Sequence, residues 1–186
     1  KDEKQKASVR EFLRQVLKKE KNNIVRAYAA LAVGLSDDKE AASILRDIFN
    51  SGEQADVRAA ATVGLGLLGD AKALPLLGQE IKDPKGGGDV RRFACIALGM
   101  IGDKAASKYL NSVLKDVNVP YLRWSAAIGL ARLGDKSCMD LLVKNLNDSN
   151  RITKEAAIRA IGYFRDENQI KNLIDGFKKE NNKEVR

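Results

Sequence analysis

Five times along this 186-residue chain the same opening recurs: Val25-Arg26, Val57-Arg58, Val90-Arg91, Leu122-Arg123 and Thr153-Lys154 each precede an Ala-rich stretch punctuated by Gly. The intervals between them are 32, 33, 32 and 31 residues. Spacing this regular restricts the chain to a repeat array, in which each supersecondary unit buries its apolar face only against its neighbours. Stability is then summed over interfaces instead of residing in one central core. Such arrays work most often as extended binding surfaces.

The copy from Val57 to Asp70 shows what each unit folds into. At about 100° per residue, Val57, Ala61, Gly64, Leu65 and Leu68 fall on one side of a helix, a stripe that must be buried. The matching positions in other copies are apolar or small, as in Val90, Ala94, Ala97, Leu98 and Ile101. Three copies end in a Gly-Asp pair (Gly69-Asp70, Gly102-Asp103, Gly134-Asp135), where Gly suits a left-handed cap and Asp the start of the next helix. Between the copies lie further amphipathic helices, at 41–49, 71–81, 105–115, 138–146 and 168–177, and a first helix at roughly 5–19 plays the same part for the first copy. The expected fold is therefore all-α: a solenoid of stacked antiparallel helix pairs, about five and a half repeats and eleven helices, alternating as A and B. It occupies residues 1–186 as one unit, with 1–22 a basic first helix. The chain starts at Lys1, and Glu184-Val185-Arg186 begins a sixth copy of the opening, so the expectation is a stretch of a longer array.

These residues resemble the short HEAT-like repeats of the phycobilisome-lyase type, whose unit reads approximately V-R-x-x-A-A-x-A-L-G-x-L-G-D followed by an apolar helix. The resemblance covers about residues 20–186. It implies an α-solenoid, and for function it implies a scaffold, an assembly factor, a chromophore-attachment protein or a subunit of a larger machine. It also implies a structural role for the basic residue opening each copy: Arg26, Arg58, Arg91, Arg123 and Lys154 would pair with turn acids such as Asp83, Asp116 and Asp148 and tie repeats into a ladder. The alternative is a basic row that binds an acidic partner.

Composition narrows the chemistry. The net charge is +8, of which residues 1–22 supply +4, while 23–186 carry 25 basic against 21 acidic groups, so the array itself is nearly balanced. With no His and two distant cysteines, Cys95 and Cys138, the chain offers neither a zinc-ligand pattern nor a disulfide framework, and no metal or cofactor is expected. Two lone thiols suit a reducing compartment and tilt the reading toward the cytoplasm. The apolar runs are short and Gly-broken, so no membrane span is expected. The run Gly64-Leu65-Gly66-Leu67-Leu68-Gly69 matches the dinucleotide fingerprint, but it lies within and at the end of a helix, with no strand before it, and the repeat register accounts for every glycine. The Gly-rich stretch 83–89 reads as a turn. Lacking His for general-base work, the chain also departs from the His-rich iron hydroxylases built on similar repeats.

The leading expectation is a non-catalytic scaffold that binds a protein or peptide along the concave side of its B helices, opposite the buried stripe. That side presents Arg92, Ile96, Trp124, Ile128 and Arg159 as candidate anchors among small residues. An equally open reading packs Leu31, Val63, Ile96 and Ile128 against the next repeat, with Trp124 partly packed against its neighbours. Nucleic-acid binding is a rival, through Arg92, Arg123, Trp124, Arg132, Arg159 and Arg165. Chromophore handling, implied by the resemblance alone, is another. Cys95 lies one turn from Arg91 and Arg92, a setting that lowers a thiol pKa, but nothing in the sequence positions a base or a resolving Cys beside it, and the plain expectation is that it packs.

Overall fold

A computed structural model describes residues 2–116 and 119–164 together with positions 171 and 174. Among the described residues are ten α-helices and no strand: α1 (Asp2–Lys19), α2 (Asn23–Leu35), α3 (Ala42–Asn50), α4 (Ala55–Leu68), α5 (Leu74–Glu80), α6 (Gly88–Ile101), α7 (Ser107–Asp116), α8 (Pro120–Leu133), α9 (Met139–Asn145) and α10 (Arg151–Phe164). The odd-numbered helices are the A layer and the even-numbered ones the B layer. Of the expected eleventh helix, 168–177, only positions 171 and 174 are among the described residues, and both are helical. Four A helices begin one turn earlier than their α-helical part, in the 3₁₀ turns Lys39–Ala41, Ala71–Ala73, Lys104–Ala106 and Lys136–Cys138.

The joints from B to A follow from the turn residues. Gly69, Gly102 and Gly134 adopt φ of 65°, 80° and 68°, a left-handed backbone that turns the chain out of α4, α6 and α8. In the first repeat the same position is Asp37, with φ of 53°, the one described non-glycine residue at positive φ. Asp103 and Asp135 then cap the following turn by accepting the N–H of Ala105 and Ser137, both at 2.8–2.9 Å. Asp38 and Asp70 occupy the same register without capping. They accept guanidinium N–H groups instead: Arg14 reaches Asp38 at 3.1 Å, and Arg46 pairs with Asp70. Each of these rungs joins an A helix to the turn beginning the next repeat.

Each A helix packs on its B partner, and successive B helices pack on one another to form a continuous layer. The core is the predicted stripe, with Val57, Ala61, Leu65, Val90, Ala94, Leu98, Leu122, Ala126 and Leu130 all fully buried. Small residues let the B helices approach to backbone contact. A Cβ on Gly64 would lie 2.7 Å from the Ala30 carbonyl oxygen, one on Gly66 2.9 Å from Ala97 Cα, and one on Gly99 2.5 Å from the Gly129 carbonyl oxygen. Neither Gly64 nor Gly66 therefore faces a ligand. They are seam residues, one toward α2 and the other toward α6.

That seam corrects the expectation of a free, small-residue concave face. Ala30, Thr62, Gly66, Cys95, Gly99 and Ala127 are buried, because a B helix is covered on three sides: by its A partner, by the preceding B helix and by the following one. Ile128 is only 3% exposed, so it is not available as the anchor expected of it. In the same register row, Leu31, Val63 and Ile96 are half-buried, and the row ends at the exposed Arg159.

Candidate functional site

The basic residues that open the repeats hold the joints together from within. Arg58 Nε donates to the Phe49 carbonyl at 2.9 Å, and its Nη2 meets Glu80 Oε2 at 2.7 Å. Arg91, buried, donates Nε and Nη2 to the Ile81 carbonyl at 3.3 and 3.0 Å. Phe49 and Ile81 end A helices, so the guanidinium satisfies a terminal carbonyl that the helix itself cannot bond. Arg26 reaches Glu53 at 2.7 Å. The acids expected in this role are used elsewhere: Asp83 accepts the Lys85 N–H at 2.9 Å and Asp148 the Asn150 N–H at 2.8 Å, each bracing its own turn. The Asp116 side chain lies outside the described residues. Arg123 and Lys154 also have partners. Sequence reading missed the rungs from Arg14 to Asp38 and from Arg46 to Asp70, although both the arginines and the aspartates recur at an interval of 32 residues.

Both cysteines are free and buried. Burial pushes the Cys95 thiol far above its usual range, overriding the lowering effect of Arg91, and pushes Cys138 up to about 12. The proximity of Arg91 therefore does not activate Cys95, because desolvating a thiolate costs more than one neighbouring cation returns. Among the described residues no cluster of three His, Cys, Asp or Glu could hold a metal ion, and no helix is long and apolar enough to cross a membrane.

Of the expected anchors, Trp124 and Arg159 come together. Trp124 is half-buried on α8, and the Arg159 guanidinium of α10 lies over its ring, 5.5 Å from the centroid. The indole borders a narrow cleft with Pro120, Leu142 and Ala157. It also borders an open surface cavity of about 540 Å³ lined by Trp124, Arg159, Gly162 and Tyr163. Nothing described lies within 4 Å of where a Gly162 Cβ would project, and Tyr163 is 52% exposed. The Trp124 indole N–H is buried without a hydrogen-bond acceptor among the described residues.

Arg92 and Ile96 stand apart from this pair. Arg92 donates to Asp89 at 2.9 Å and lies over the Phe93 ring, and Ile96 is half-buried on α6. Of the cations considered for nucleic acid, Arg132 is exposed and Arg165 lies outside the described residues. Tyr163 was not foreseen, because its register equivalents Leu35, Leu67, Met100 and Arg132 share no chemistry with it.

A family model described as HEAT repeats matches residues 2–66, 51–131 and 112–186. No curated protein matches the chain in sequence. Among solved structures, the chain is similar to the complex of CpcE and CpcF of phycocyanin lyase from Nostoc sp. PCC7120, with 22% identity over 95% of this chain and 73% of that one and a TM-score of 0.67. Human deoxyhypusine hydroxylase in complex with glycerol aligns at 15% identity over 91% of this chain and 76% of that one, with a TM-score of 0.41. The likeness to the lyase complex is a likeness of fold, in agreement with the repeat type read from the sequence.

Proposed function

We propose, for a chain that belongs to the HEAT repeat family, a non-catalytic role as a scaffold that binds another protein through the surface where α8 meets α10. The observation that carries this reading is the cavity beside Trp124: two aromatic rings and an arginine held on packed helices, open to solvent and free of internal salt bridges among the described residues. Trp, Tyr and Arg are the residue types that most often anchor protein interfaces, because each gives large contact area and directed hydrogen bonds at low conformational cost. The solved relative, itself a complex of two proteins, supports a protein partner. The buried, protonated thiols and the acids engaged in turns and rungs support a binding role over a catalytic one.

The site differs from the first expectation. It is a local pocket at the α8–α10 end, and the B-layer seam is not available to a ligand. The test is affinity capture from the source organism's lysate, with and without nuclease, comparing the parent with Trp124→Ala. A discrete protein retained after nuclease and lost with the variant supports the reading. Recovery that needs nucleic acid and ignores the substitution overturns it in favour of the basic surface, and a visible absorbance change with an open-chain tetrapyrrole, lost in the same variant, overturns it in favour of chromophore handling.

A further inference from the structure

Resting on the protein-binding reading, we infer that the cavity beside Trp124 takes an acidic peptide segment in which an aromatic side chain is flanked by Asp or Glu. The argument starts from Arg159. Its guanidinium carbon lies 5.5 Å from the centroid of the Trp124 ring, and the side chain is exposed. Among the described residues no carboxylate pairs with it. The nearest acid along α10, Glu155 one turn earlier, lies 3.5 Å from Arg151. A planar donor fork beside an indole, with no carboxylate partner among the described residues, fits a carboxylate supplied from outside.

The rest of the pocket fits a ring. Tyr163, 52% exposed, lines the same cavity as Trp124, and nothing among the described residues lies within 4 Å of where a Gly162 Cβ would project. About 540 Å³ accommodates one aromatic side chain and the backbone on either side of it. Edge-on or offset stacking on two rings adds to the area buried.

The surrounding charges favour a carboxylate over a nucleic-acid strand. A phosphate track needs several unneutralised cations in line, and here the neighbours are already engaged: Arg92 with Asp89, Arg151 near Glu155, and Arg123 and Lys154 with partners of their own. Among the described residues the cavity itself is lined by one cation, Arg159.

Trp124 is the sole tryptophan of the chain, so tryptophan fluorescence reports on the surroundings of this one residue. The probe is the acetylated, amidated peptide Glu-Asp-Phe-Asp-Glu, titrated into the full chain beside Lys-Lys-Phe-Lys-Lys and a single-stranded oligothymidylate. The expected result is a saturable change with the acidic peptide only, weakened at least tenfold by Arg159→Glu and by Gly162→Leu, and partly kept by Arg159→Lys. Thermal unfolding checks that each variant folds: Gly162→Leu should melt at or slightly above the parent, because an open helix position gains from losing glycine, and Arg159→Glu slightly below it for the lost contact with the Trp124 ring. Equal binding of the basic peptide, preferential binding of the oligonucleotide, or acidic-peptide binding that ignores both Arg159→Glu and Gly162→Leu overturns the inference. If the acidic peptide fails to bind while a captured protein is still lost with Trp124→Ala, the ligand class is wrong and the scaffold reading stands. If capture itself ignores Trp124→Ala, the scaffold site is wrong as well.

Discussion

Gly99 and Gly162 occupy the same register position in α6 and α10, and replacing each by alanine should change stability in opposite directions. In isolation the substitution favours a helix by about 1 kcal/mol, because glycine loses more backbone entropy on folding. At Gly162 a Cβ meets nothing described within 4 Å, so that gain should survive, at about 0.5–1 kcal/mol. At Gly99 the new Cβ would stand 2.5 Å from the Gly129 carbonyl oxygen and 2.6 Å from its Cα. These are backbone atoms of a packed helix and cannot rotate away, so α6 and α8 must part by roughly 1 Å, a gap that forfeits a quarter to a half of each affected dispersion contact. Overpacking of this kind costs about 1–3 kcal/mol, which exceeds the propensity gain and leaves Gly99→Ala destabilised by about 1–2 kcal/mol. Urea unfolding followed by far-ultraviolet circular dichroism measures both, with hydrogen exchange to locate the loss, because repeat arrays need not unfold in one step. A Gly99→Ala protein more stable than the parent would refute the reasoning that backbone contact across the B seam limits the residue there.

Three further outcomes are expected. Asp37→Gly should stabilise the first joint by about 0.5 kcal/mol, since it relieves a non-glycine residue at φ of 53° and gives up only the exposed pair with Lys39; a lower melting temperature would contradict this. Cys95 and Cys138 should resist a thiol reagent at pH 8 in the folded chain and both react in denaturant, whereas rapid labelling of either in native buffer would show that its burial opens readily. The carboxyls of Glu53, hydrogen-bonded by Arg26, and Asp135, hydrogen-bonded by Ser107 and Ser137, are held below their usual range. A depressed folded-state value stabilises above the unfolded value and is lost as pH falls through the folded one, so stability should decline below about pH 4. Asp135→Asn should flatten that decline in acid melts, and an unchanged acid limb would exclude Asp135 as a contributor.

Much of the architecture was legible because it is local and repeated. The interval near 32 residues, the apolar stripe at helical spacing and the Gly-Asp joints are written into each unit, and every unit meets the same kind of neighbour, so register alone placed Val57, Val90 and Leu122 in the core. The basic residues opening each copy could likewise be placed at the joints from their position. Their partners could not, because whether Arg58 meets Asp83 or Glu80 depends on how the A helix ends and how its loop folds back, over a few ångströms that spacing does not resolve.

The candidate site was half legible. Trp124 and Arg159 could be picked out as unusual residues on B helices, yet a helical wheel divides a helix into a buried and an open side, while a B helix in this stack has three covered sides. Only the packed structure shows that Ile128 is buried, that Arg159 lies over the indole, and that Gly162 and Tyr163 complete a cavity there. Sequence by itself determined the repeat, the helix pairing and the core stripe, since these follow from periodicity within each unit. Tertiary structure decided which residues remain available to a partner, since availability depends on how closely neighbouring helices approach, and that distance is set by side chains more than thirty residues away.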